Sequence, residues 1–121
     1  MKPKNPTVRL STNIQPIFNA SCALAGCHLG GTAINGQDLG PGAAFRSSVN
    51  KPVLQKPGFL RIVPGNPDKS YLYLKIIGDP RITGTIMPQG CPGMPLNGAQ
   101  CLTPDQILAI KTWIAECALN N

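Results

Sequence analysis

SCALAGCHLG, residues 21–30, brings two thiols and an imidazole together: Cys22 and Cys27 have four residues between them, and His28 follows the second directly. His28 is also the only histidine among 121 residues. A structural zinc site would need four tetrahedral ligands, commonly supplied by paired knuckles. The cysteines downstream, Cys91 and Cys101, have nine residues between them and do not form a second knuckle. A dithiol redox site favours two intervening residues at a helix start, and it leaves His28 without a role.

Covalent haem attachment uses all three residues. Two thiols add to the vinyl groups, and the adjacent histidine is held under the iron as proximal ligand. The usual spacing is C-x-x-C-H, whereas this chain has C-x-x-x-x-C-H. The spacer Ala23-Leu24-Ala25-Gly26 is small or apolar enough to bulge against a macrocycle. A disulfide between Cys22 and Cys27 beside an incidental histidine is the plain alternative for this segment.

The remainder of the chain sets the frame for that motif. Hydrophobic residues make up 42% and charged residues 13%, the latter well under the usual share of about a quarter. Thirteen glycines and thirteen prolines commit much of the chain to turns and loops. A small, loop-rich single domain with 5% aromatics leans on disulfides, a metal or a cofactor for part of its buried surface. The net charge of +6 comes from scattered lysines and arginines, with no basic run and no interleaved aromatics, which argues against nucleic acid. It suits encounter with an acidic protein partner, or simply solubility. No stretch reaches the roughly twenty apolar residues of a membrane span. The opening MKPKNPTVRL has no apolar signal region, so an exported protein would carry these residues in its mature part.

Three helices are predicted. The first opens at Thr12, with Gln15 completing a capping box and Ile14, Ile17, Phe18 and Cys22 at helical spacing. The second spans NPDKSYLYLKIIG, with Asn66 as cap, Pro67 in the first position and Gly78 at the end. The third, LTPDQILAIKTWIAECAL, has a Thr103–Gln106 capping box, Pro104 in the first position, and Ile107, Ile110, Ile114 and Cys117 along one face. About forty residues between the first two helices lack periodicity, a length expected of a segment that wraps something. The expectation is an all-α fold of about three main helices with long Gly/Pro-rich loops, residues 1–10 forming an N-terminal extension and 11–121 the domain.

From Ile14 to Cys117 the chain resembles a group of bacterial mono-haem c-type cytochromes. The family pattern reads here as Gln15-Pro16-Ile17-Phe18, Cys27-His28, Val63-Pro64-Gly65-Asn66-Pro67, Ser70-Tyr71-Leu72, Met87-Pro88 and the stretch Ile110 to Ile114, in that order. The resemblance implies a small cytochrome c-like fold around one haem c, attached through Cys22 and Cys27 with His28 as axial ligand. It implies single-electron transfer rather than enzymatic bond chemistry, a periplasmic or extracellular location, and redox proteins as partners. The alternative within the same chemistry is a cytochrome subunit or domain of a larger redox enzyme or extracellular electron-transfer assembly.

For the sixth iron position the candidates are Met87 and Met94, soft thioethers that each precede a proline. The family register of Gly84, Met87 and Pro88 favours Met87, while Met94-Pro95-Leu96-Asn97-Gly98 fits a variant pattern. A vacant position would suit a ligand sensor, but the sequence supplies no acid–base groups of the kind peroxide cleavage uses. Arg61, just before the Val63-Pro64-Gly65 turn, could fork onto a haem propionate or remain solvated. In an exported protein Cys91 and Cys101 would pair across their loop, and Cys117 would be a buried small hydrophobe. Trp113 is expected to pack on the first helix or the haem edge.

Overall fold

The computed structural model describes residues 6–23, 28, 36–54, 56–88, 90–91, 93–95 and 98–121. A π-helical turn (Leu10–Ile14) runs into α1 (Gln15–Ser21); a short α2 (Ala44–Ser48) follows; a 3-10 turn (Pro67–Lys69) leads to α3 (Tyr71–Ile77); and α4 (Pro104–Ala115) closes the order. Bridges between Val49 and Ile62, Pro52 and Leu60, and Leu60 and Ser70 are isolated. The architecture is therefore mostly helical with almost no strand, and α2 is an element that the aperiodic segment gave no sign of.

α4 forms as its sequence predicts. Thr103 Oγ1 accepts from the Gln106 amide at 3.2 Å, and Gln106 Oε1 accepts from the Thr103 amide at 2.9 Å. Pro104 occupies the first turn, where its missing N–H costs nothing. Its inward face buries Ile110, Trp113 and Ile114 to 1% exposure or less. Trp113 meets Phe18 edge to face at 6.3 Å, and its indole N–H donates to the Leu119 carbonyl at 3.0 Å. The tryptophan thus packs on α1, the first of its two expected neighbours. Cys117 is buried, as expected, but just past the helix in the left-handed region, at φ 79°.

The expected capping box at Thr12 is absent. The chain turns helical three residues earlier, with Arg9 as cap, and the Arg9 amide donates to Asn13 Oδ1 at 2.8 Å. Pro16 accounts for the change: with no N–H it cannot bond the Thr12 carbonyl, and its ring crowds that carbonyl, so the preceding turn widens to the π register. Gln15 is buried instead, its Nε2 donating to the Leu39 carbonyl at 2.8 Å and to Asn19 Oδ1 at 2.9 Å.

The second predicted helix is also interrupted. Ser70 stays extended because its hydroxyl accepts from the Val63 amide and donates to the Asn66 carbonyl, both at 2.8 Å. That splits the expected run into the 3-10 turn and α3. The first amides of α3, from Tyr71 and Leu72, are satisfied by the Leu60 and Arg61 carbonyls. Gly78 ends α3 in the left-handed conformation at φ 71°, as predicted.

The segment expected to be an N-terminal extension is tied into the fold over its described part. Glu116 accepts from the Thr7 amide, the Thr7 hydroxyl and the Val8 amide at 2.9, 2.7 and 3.1 Å. Asn121 accepts from the Leu10 amide at 3.0 Å, and its carbonyl accepts from Ser11 Oγ at 2.7 Å. Leu10 is a core residue. The Thr7 hydroxyl, against the opposing effect of burial and with further help from the Val8 and Thr7 amides, holds the Glu116 carboxyl below its ordinary value. A carboxyl depressed in the folded state stabilises above its unfolded pKa and loses that contribution as pH falls through the lower folded value. Exchange protection of the Thr7 and Val8 amides is therefore expected to fade on acidification, and Glu116→Gln should weaken it at neutral pH and flatten the dependence. An identical acid profile in the variant would disprove the link.

Candidate functional site

Residues from widely separated parts of the chain line one cleft of about 750 Å3, counting the space at its open mouth. α1 supplies Phe18 along its length and Cys22 at its C-terminal end, where the Cys22 amide still bonds the Phe18 carbonyl at 2.8 Å. His28 enters next, then Arg61 from the turn before α3, and finally Met87 from the segment after it. Leu39, Val53, Leu72, Ile76 and Ile110 make most of the remaining surface apolar. Leu54, 64% exposed, stands at the cleft as well.

His28 is held at three points. Its amide donates to the Cys22 carbonyl at 3.1 Å, its carbonyl accepts from the Leu39 amide at 2.8 Å, and its Nδ1 lies 3.0 Å from the Gln37 carbonyl. A carbonyl only accepts, so a neutral imidazole there carries its proton on Nδ1 and its lone pair on Nε2. That is the tautomer and the second-sphere anchoring that metal-ligating histidines use.

α2 underpins the same wall. Gln37 Nε2 donates to the buried Ser48 hydroxyl at 3.0 Å, and Arg61 Nη1 donates to the Ser47 carbonyl at 2.7 Å. The helix that the sequence did not announce thus braces both the histidine and the arginine.

Two cations line the cleft, Arg61 and Lys75, at 9% and 7% exposure. Burial lowers both from their ordinary pKa values, with Tyr71 partly offsetting the effect at Lys75. No carboxylate side chain is among the described lining residues. An apolar cleft with two buried positive charges is suited to an occupant with an apolar body and anionic groups.

Of the predicted site residues, Cys22, His28, Arg61 and Met87 come together at this cleft. Cys27 lies outside the described residues. Met94, the alternative ligand, is 87% exposed and is not part of the lining. Cys91 and Cys101 are disulfide-bonded, and the Gln100 amide beside Cys101 donates to the Ala20 carbonyl of α1 at 3.1 Å. Just before the loop, Gly90 has φ 93°, and a Cβ there would overlap the Met94 carbonyl, so the turn admits only glycine. Replacing Cys91 and Cys101 by alanine is expected to lower stability by about 2–3 kcal/mol on loop entropy. A urea midpoint unchanged in the double variant would show that the loop holds itself.

Sequence reasoning overlooked Gln37 and Lys75. Gln37 acts through its backbone carbonyl, which any residue provides, so no sequence signal exists. Lys75 did have one: it is the only charged side chain in YLYLKII, a helix buried from Tyr71 to Ile76. The chain matches no protein-family profile, and no curated protein or solved structure matches it. Among the described residues no helix is long and apolar enough to cross a membrane, and the disulfide fits an oxidising compartment.

Proposed function

We propose that the chain is a mono-haem c-type cytochrome that carries single electrons. The observation that carries this reading is the convergence of Cys22, His28, Arg61 and Met87, scattered over sixty-six positions of sequence, on one apolar cleft. Haem c would be held covalently by Cys22 and Cys27, with His28 and Met87 as ligands to the iron, and would supply the one-electron couple. The residues present fit such a group: an imidazole with a fixed tautomer, a thioether, a thiol at a helix end, apolar walls and buried cations for carboxylates.

The chain's own residues then have separable tasks. His28 is oriented by the Gln37 carbonyl so that Nε2 is the ligating atom. Arg61, backed by the Ser47 carbonyl, would meet a carboxylate of the occupant. The positive charges of Arg61 and Lys75 in a poorly hydrated cleft favour the less positive, reduced state of whatever iron centre they face. Phe18, Leu39, Leu72 and Ile110 exclude water. The disulfide removes Cys91 and Cys101 from service as thiolate ligands, which counts against the zinc alternative. Periplasmic or extracellular residence and docking to an acidic redox partner belong to the same proposal.

The test is an absorption spectrum with intact mass, on protein exported from a host that attaches c-type haem. Expected is a mass increase of one haem that survives denaturation, together with a far-red ferric methionine–iron band. No covalent haem would overturn the proposal and leave SCALAGCHLG as a disulfide or a metal knuckle.

A further inference from the structure

Two side chains of α3 grip one residue of the segment that carries Met87. The Tyr71 hydroxyl oxygen accepts from the Thr83 amide at 2.7 Å, and Lys75 Nζ donates to the Thr83 carbonyl at 2.9 Å. Tyr71 and Lys75 are four residues apart and share a helix face. Four residues beyond Thr83, the Met87 amide donates to the Lys75 backbone carbonyl at 3.0 Å. Both gripping side chains are buried, at 5% and 7% exposure, whereas Thr83, Gly84 and Thr85 are exposed. Ile82 packs against the core and Pro88 is buried, so the segment is anchored at both ends, and between them these hydrogen bonds fix the exposed Thr83. A bond from an ammonium shielded from water is among the stronger kinds.

We propose that Tyr71 and Lys75 are positioning residues for Met87, a clamp on Thr83 that keeps the thioether facing the cleft. The role of Met87 rests on the haem reading above; the clamp itself does not. Neither residue touches the iron position in this assignment. They set the balance between a closed segment, with the sixth position taken by Met87, and an open one, with that position available to an outside ligand. An external ligand binds only the open form, so its apparent affinity rises in proportion to the open fraction.

The experiment uses haem-loaded wild type, Lys75→Met and Tyr71→Phe. Ferric protein is titrated with cyanide while the far-red methionine–iron band is followed, and amide exchange at Thr83 and Met87 is measured in parallel. Loss of one such bond should raise cyanide affinity and speed Thr83 exchange by about tenfold in each variant. Lys75→Arg, which keeps a cationic donor, should recover part of the wild-type affinity. Tyr71→Phe keeps the ring that stacks on Phe59 at 5.5 Å, so it decides the matter should Lys75→Met fail to fold or to take up haem. Wild-type cyanide affinity and wild-type Thr83 exchange in Tyr71→Phe overturn the clamp. Wild-type protein without covalent haem overturns the haem reading instead, and the exchange comparison still reads the clamp on the unloaded chain.

Discussion

Under the haem proposal, Met87→Ala is expected to abolish the far-red ferric methionine–iron band and to lower the reduction potential, while Met94→Ala leaves both as they are. The asymmetry follows from placement: Met87 is half-buried and lines the cleft, and Met94 is 87% exposed in the disulfide-closed loop. Thioether ligation favours the reduced iron, and axial ligands span roughly 0.8 V across haem proteins, so a drop on the order of 0.1 V is expected on losing it. Spectroelectrochemical titration of both variants measures the shift. Band and potential retained in Met87→Ala but lost in Met94→Ala would reverse the ligand assignment and leave the electron-transfer role intact.

Trp113→Ala should have the largest effect on stability, a loss of about 3–5 kcal/mol, as for other large-to-alanine changes in a packed core. Trp113 is 1% exposed, stacks edge to face on Phe18, and ties the last residues down through its bond to the Leu119 carbonyl. Domains of this kind have about 5–15 kcal/mol in all, so the variant sits near the threshold of folding. Phe18 also lines the cleft, so the cavity left by the indole lets a wall of the site relax. Trp113→Phe keeps most of the packing and forfeits mainly the hydrogen bond, which costs about 1 kcal/mol. Urea unfolding of both variants distinguishes the two contributions; a loss below that of Trp113→Phe in the alanine variant would show that the indole is not a core anchor.

How far the sequence could be read depended on whether a local signal matched a local cause. α4 was legible because Thr103, Pro104 and Gln106 act within one turn, and its apolar residues recur at helical spacing. Gly78 was legible for the same reason. Thr12 misled because the capping pattern competes with Pro16, whose ring and missing N–H act backwards on the preceding turn. Ser70 misled because its partners are the Val63 and Asn66 backbone and because the neighbouring Tyr71 amide pairs with Leu60, a contact no helical periodicity encodes. At the candidate site, Cys22, His28 and Met87 were legible as chemistry, since thiols, imidazole and thioether are few in this chain. What supports them was not. The carbonyl of Gln37, the brace through α2 and the grip of Tyr71 and Lys75 on Thr83 depend on tertiary contacts and on backbone atoms that every residue has.

The hydrogen bonds from Thr7, Val8, Leu10 and Ser11 to Glu116 and Asn121 place the start and the finish of the described chain side by side. A short Gly/Ser linker could join them into a closed loop without crossing the body of the fold, and the chain could then be reopened at an exposed turn such as Pro80–Arg81. Such a circular permutant keeps every helix in its present packing. Any larger protein in which this domain is inserted would enter and leave it at one spot, with the cleft free of both connections only if that spot lies clear of its mouth.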